Sequence, residues 1–247
     1  MSRRDDLIRL YRIFDALEAS SGGKRILTQL APSGSWPRRG VYLFFEPGEV
    51  RTDSGCGPRL VRIGTHALGV GARSTLHRRL RQHAGKSSGS GGNHRGSIFR
   101  LLIGEALIAR GDCPPCPSWG VKGDIGKAVE ELCVERAALA GAEAPVETAV
   151  SAYLGRLPFL WVPIEDEPGP ESLRGFIERN VIALASGLHE PVIDPPSPSW
   201  LGHHSGRDKV RHSGLWNQRH VDENYAPGFL DVLEAAIERN ADQRAMA

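Results

Sequence analysis

Two short runs of β-branched and aromatic residues, GVYLFF and LVRIGT, carry Tyr42 and Arg62 about twenty residues apart. A Gly- and Pro-bearing stretch separates them, so they read as two strands joined by a loop. That reading puts the phenol and the guanidinium at matching places near a sheet centre. The arginine-rich segment TLHRRLRQH follows directly, and on a helix Arg79 and His83 lie one turn apart on a shared face. Further on stand His94 in GNHRGSIFR, Glu178 in GFIERNVIAL and Asn217 in GLWN. Such side chains suit chemistry at phosphorus, which needs an activated water, charge compensation at the phosphate and stabilisation of the departing alkoxide. A phenol, with a pKa of about 10, acts as a base only where cations favour phenolate or a metal-bound water shares the proton. A carboxylate at the edge of a core needs compensation, and Mg²⁺ accepts one carboxylate while keeping several waters.

Each residue also has a plainer reading. Tyr42 can simply pack in its strand and hydrogen-bond through its hydroxyl. Arg78, Arg79 and Arg81 can form one solvated face, and His94 can sit exposed in a polar loop. Glu178 can pair with Arg174, one helical turn earlier. Cys113-Pro-Pro-Cys116 has zinc-knuckle spacing, which Cys133 or a histidine would have to complete; ordinary thiols are the simpler account. Residues 202–220 mix histidines with Arg207, Lys209, Arg211 and Arg219, a set that suits phosphate contact or a solvated loop, with zinc a third option.

The elements that must position these groups follow from periodicity and turn signals. Leu7, Leu10, Tyr11, Phe14 and Leu17 predict a helix over residues 4–19, which Ser20-Ser21-Gly22-Gly23 stops. Ser74 is placed to cap the arginine helix. The stretch GKSSGSGGN reads as a flexible polar linker, and residues 97–108 are apolar enough to be buried as helix or strand. Helices are expected over 124–140 and, shorter, over 147–156; a strand is expected around Phe159–Ile164, with Pro163 at an edge or bulge. A helix over about 171–186 buries Leu173, Ile177, Val181, Leu184 and Leu188 on one stripe, with Ile182 and Ala185 on the glutamate's side. A last helix is expected near 227–240.

Composition bounds the reading without deciding it. With 40% hydrophobic residues over 247 positions, the chain can bury one good core or two small ones. The formal charge of +2 is too small to require nucleic acid, so only local clustering can carry that argument. No apolar run reaches membrane-span length, and the opening MSRRDDLIRLYRIF is broken by acids. Four cysteines in a chain this long do not suggest a disulfide scaffold, and a reduced, cytoplasmic protein is expected.

The order of these pieces resembles the GIY-YIG nuclease domain, named for two tripeptides that here are Gly40-Val41-Tyr42 and Arg62-Ile63-Gly64. The resemblance implies an α/β (α+β) fold: a small three-stranded, mixed or antiparallel sheet flanked by helices. The core would span 38–217, with insertions at about 84–156 and 188–214 suited to target recognition. It would be flanked by an N-terminal helix within 1–30 and a C-terminal helical segment at 218–247. It implies a DNA endonuclease in which Tyr42 is the general base, Arg79 contacts the scissile phosphate and Glu178 binds Mg²⁺ or Mn²⁺. RNA stays open as a substrate. Arg62, His83, His94 and Asn217 would be supporting members of the catalytic set, with Asn217 helping to hold the glutamate and its surroundings. One departure stands out: Arg62 replaces the family's usual tyrosine. If Arg62 faces the same way as Tyr42, it favours phenolate or holds a phosphate oxygen. The rival expectation is a nucleic-acid-binding or scaffolding protein that keeps the fold without turnover.

Overall fold

The computed structural model describes residues 2–86 and 91–245. The chain runs through α1 (Arg3–Ser21), β1 (Arg25–Ile26), β2 (Gly40–Val50), β3 (Pro58–Gly64), α2 (Leu76–Ala84), α3 (Ile98–Arg110) and α4 (Ile125–Leu132). It continues with α5 (Arg136–Gly155), β4 (Pro158–Pro163), α6 (Leu173–Ala185), α7 (Asp208–Ser213) and α8 (Phe229–Ala245). The sheet order is β1-β4-β2-β3 and every pairing is antiparallel. The expected three-stranded sheet is therefore present in its antiparallel form, with the two-residue β1 added at one edge.

Along β2 the side chains alternate between two cores. Val41, Leu43 and Phe45 pack with α1, α6 and α8, whereas Tyr42 and Phe44 pack with α2, α3 and α5. Because helices cover both faces, GVYLFF is a continuous apolar run rather than an alternating one. The register pairs Tyr42 with Gly64 and Phe44 with Arg62 on one side, and Tyr42 with Trp161 on the other. Tyr42 and Arg62 consequently share a face of the sheet, diagonal to each other.

Several local expectations are corrected. Thr75, not Ser74, caps α2: it is extended and its hydroxyl accepts from the Arg78 N–H. Residues 97–108 are helical, capped by Ser97 and closed by Gly111 in the left-handed conformation. The 124–140 helix is broken where Cys133 turns left-handed, and α5 then runs unbroken to Gly155 with Pro145 inside it. On α6, Ile177, Val181 and Leu184 are buried, but Leu188 lies beyond the helix and is 38% exposed. The polar linker reading at 85–93 falls partly on 87–90, outside the described residues.

Candidate active site

Tyr42 is fully buried, and its position depends on the glycine across the ladder. A Cβ at Gly64 would overlap both the Tyr42 hydroxyl and its ring. On the other side, the hydroxyl meets His83 Nε2 at 3.0 Å, and His83 Nδ1 meets Ser97 Oγ at 2.8 Å. Leu76, Leu80 and His83 are the buried face of α2, so the apolar spacing of that helix aims the imidazole at the sheet. Burial first, then the nearby Arg79, Arg62 and Arg100, hold the His83 pKa well below the ordinary value of 6.5. His83 is a neutral imidazole at physiological pH.

Arg62 is 7% exposed and donates to the carbonyl of Trp216, which lies along the outer edge of β3, with its guanidinium 5.4 Å from the Phe99 ring centroid. Burial lowers its pKa, and the adjacent Tyr42 hydroxyl and Glu178 carboxylate oppose that shift. Asn217 lines the cavity with Glu178, and its side-chain hydrogen bonds go to β3. Its amide clasps the Ile63 backbone from both sides, accepting from N–H at 3.2 Å and donating to the carbonyl at 2.9 Å. With the Trp216 N–H on the Val61 carbonyl at 2.7 Å, residues 216–217 complete the outer edge of β3.

Glu178 projects from α6, which Ser172 caps. Its Oε1 accepts from the Thr65 N–H at 3.1 Å. The expected competitor is engaged elsewhere: Arg174 is fully buried, pairs with Asp166 and donates to the His66 carbonyl. Burial pushes the Glu178 pKa up, and Arg62, the Thr65 N–H, His220 and Arg79 counter it. Arg79 is braced by Gln82 at 3.2 Å and by the Gly96 carbonyl at 3.3 Å. Tyr42, Arg62, Arg79, Glu178, Asn217 and Arg219 line one cavity of about 650 Å³. A groove continues from it past Thr65 and His66 to Ser74 and Gln82.

The carboxylate fits a divalent cation that needs one protein ligand. Oε2 of Glu178 has no hydrogen bond among the described residues, while the side chain faces open space. No group of three or more His, Cys, Asp or Glu side chains that could hold a metal occurs among the described residues. Cys113 and Cys116 are free, buried thiols of the second core, and Cys133 is exposed.

His94 is not brought to the cavity, and it is not an exposed loop residue either. It is buried, stacked on Trp119 at 3.9 Å, with Nδ1 2.9 Å from Glu147. Glu147 also pairs with the buried Arg100 at 2.5 Å, and Arg100 donates to the His83 carbonyl at 2.9 Å. This network braces the end of α2 from behind. Of the basic residues in 202–220, Arg207, Lys209 and Arg211 are ion-paired to Glu105, Asp222 and Asp208. Arg219 alone of that set is exposed without a partner among the described residues, and it lines the cavity.

Thr65 and His66 carried no recognised signal in the sequence, and His220 was marked only as part of the 202–220 stretch. Thr65 supplies the N–H that orients Glu178, and His220 and His66 line the walls. Thr65 is the residue directly after the second tripeptide, where the strand ends and a backbone N–H is left for a side chain to bind.

The arrangement places a phenol next to a neutral imidazole, three guanidiniums and one carboxylate around a space that admits a phosphodiester. No curated protein and no solved structure matches the chain. The family model described as the GIY-YIG domain matches residues 1–243. That family is one of nucleases that generally depend on divalent metal ions. Matched over nearly its whole length, the chain belongs to the GIY-YIG domain family.

Proposed function

We propose that the protein is a metal-dependent endonuclease that hydrolyses DNA phosphodiester bonds, with Tyr42 as general base, Arg79 on the scissile phosphate and Glu178 on Mg²⁺ or Mn²⁺. The observation that carries this reading is the convergence of these three side chains, remote in sequence, on one cavity. In the His83 tautomer with Nδ1 protonated toward Ser97, Nε2 accepts a hydrogen bond from the Tyr42 hydroxyl and holds the phenol in place. Once its hydroxyl proton has passed to bulk water, Tyr42 as phenolate takes a proton from the attacking water and is returned to the phenol. Arg62 compensates the charge that develops on Tyr42, and Arg79 and Arg219 compensate the phosphate. A cation bound at Glu178 would stabilise negative charge on the departing oxygen. Asn217 acts through the β3 edge, as a positioning residue. The catalytic core is placed at 38–217, with recognition assigned to the insertions. The four free cysteines suit a reducing, cytoplasmic setting.

Incubating supercoiled plasmid with the protein tests the proposal. Nicking is expected with Mg²⁺ or Mn²⁺, and it disappears with chelator and in Glu178→Ala. The second reading, a DNA-binding protein without turnover, draws on Arg62, whose guanidinium is tied to the Trp216 carbonyl where the family has a phenol. Retention of plasmid or RNA by the wild type, with no strand breakage under any metal, would select it.

A further inference from the structure

His220 lines the same cavity as Glu178 but takes no part in the steps assigned to Tyr42, Arg62, Arg79 and Glu178. It stands three residues after Asn217, in the stretch that follows the β3 edge contacts. Its backbone is left-handed, with φ 64°, a conformation that glycine adopts freely and other residues rarely do.

The imidazole is held from one side. Its Nδ1 lies 2.9 Å from Glu223 Oε1, and the Glu223 N–H donates back to the His220 carbonyl at 3.4 Å. The second Glu223 oxygen accepts from Arg179. Burial acts to raise the Glu223 pKa, but His220 and Arg179 hold it below the ordinary 4.5. The ionised carboxylate accepts the Nδ1 hydrogen, and in the neutral ring this leaves Nε2 with a lone pair. Nε2 has no hydrogen bond among the described residues. Arg179 directly follows Glu178 on α6, so the carboxylate that orients His220 is fastened beside Glu178. Burial raises the Glu178 pKa, and His220 joins Arg62 and the Thr65 N–H among the groups near enough to counter it. A plain ion pair on a turn accounts for the Glu223 contact alone. It does not account for the place of His220 in the cavity wall.

We infer that His220, oriented by Glu223, is a second protein ligand, with Glu178, for the divalent cation of this cavity. The inference rests on the metal-dependent nuclease reading and deepens it. Histidines that bind metals keep this arrangement: one ring nitrogen donates to a carboxylate, which fixes the tautomer, and the other meets the ion. Two protein ligands leave the remaining positions to water and phosphate oxygens. The imidazole also shifts the choice of metal. Mg²⁺ takes oxygen ligands and transition ions accept imidazole, so Mn²⁺ is favoured over Mg²⁺.

The test is pulsed electron paramagnetic resonance and calorimetry of the full chain with Mn²⁺ alone, without DNA. The wild type should show the nitrogen modulation of a directly bound imidazole. His220→Gly, which suits the left-handed backbone, should remove that modulation and weaken Mn²⁺ binding about tenfold or more. Mg²⁺ affinity, read by competition, should fall less. Glu223→Ala should keep the modulation at saturating Mn²⁺ while weakening affinity about 10–100-fold. Mn²⁺ that Glu178→Gln displaces but that shows no nitrogen modulation overturns the ligand assignment, and plasmid nicking by the same protein leaves the nuclease reading standing. Modulation that persists in His220→Gly comes from another imidazole and overturns the assignment too. Unchanged affinity in Glu223→Ala overturns the orienting role of that carboxylate. A wild type with the nitrogen signal and no nicking keeps the metal site and overturns the nuclease reading. One that neither binds Mn²⁺ nor cuts DNA overturns both.

Discussion

Gly64→Ala tests whether the position of the Tyr42 hydroxyl is what the site depends on. The new methyl would sit well inside the 3.4 Å at which a Cβ makes ordinary contacts, against both the phenol oxygen and its ring. Tyr42 cannot swing freely away, because the His83 ring lies 5.3 Å and the Phe44 ring 5.7 Å from its own centroid. The hydroxyl must therefore shift by about 1 Å, which at a reacting centre costs about a hundredfold in rate. Overpacking of this kind destabilises by about 1–3 kcal/mol, a fall in Tm of roughly 2–12 °C for a chain this size. The protein should stay folded. Single-turnover nicking of supercoiled plasmid reads the rate, and circular dichroism melting reads the stability. A double-mutant cycle separates positioning from general damage: in a Tyr42→Phe background, Gly64→Ala should cost no further rate. Full activity in Gly64→Ala, or an undiminished effect in the Phe background, would refute the assignment of Tyr42 as base.

Arg62→Met should keep the fold and lower cleavage about a hundredfold or more at neutral pH, measured by the same assay. Among the described residues Arg62 forms no ion pair, and its guanidinium donates to the Trp216 carbonyl, so the replacement breaks no direct carboxylate contact. It is also the leading group that counters burial at Glu178. A carboxylate is ionised above its pKa, so metal-dependent activity falls as pH drops through that value, and Arg62→Met should move this limb to higher pH. Glu178→Gln should abolish cleavage and also the heat of Mn²⁺ binding in calorimetry, while duplex binding survives. Glu147→Ala strands the buried Arg100 guanidinium and should cost about 3–5 kcal/mol, or roughly 6–20 °C in Tm. Although burial works to raise it, His94 and Arg100 hold the Glu147 pKa below the ordinary 4.5. Its contribution is therefore present above about pH 4.5 and lost as pH falls through the folded value, a loss that Glu147→Gln should lessen. Melting curves at several pH values check both variants.

The parts legible in the sequence are those set by local pattern. The two strand runs, the apolar spacing of the arginine helix and the stripe of α6 each place one of Tyr42, Arg79 and Glu178 without reference to the rest. What stayed hidden depends on distant partners. His94 looked exposed because its own segment is polar, but Trp119 from the loop after α3 and Glu147 on α5 bury it. Arg174 looked like the partner of Glu178 by spacing, yet Asp166 and the His66 carbonyl hold it instead. Helix breaks misled in both directions: Cys133 bends the chain without a Gly or Pro, whereas Pro145 sits inside α5 without ending it. Thr65 contributes a backbone N–H, a group that every residue but proline has and that no motif can single out.

The clasp of Asn217 on Ile63 joins positions 154 residues apart. During synthesis, at about 5–20 residues per second, both tripeptides and the arginine helix therefore emerge many seconds before the segment that seals their strand edge. A ribosome-bound nascent chain ending before Trp216 would hold Tyr42, Arg62, Arg79 and Glu178 on an unfinished scaffold. Assembly order thus leaves the proposed catalytic cavity without its sealed strand edge until Trp216 and Asn217 have been made.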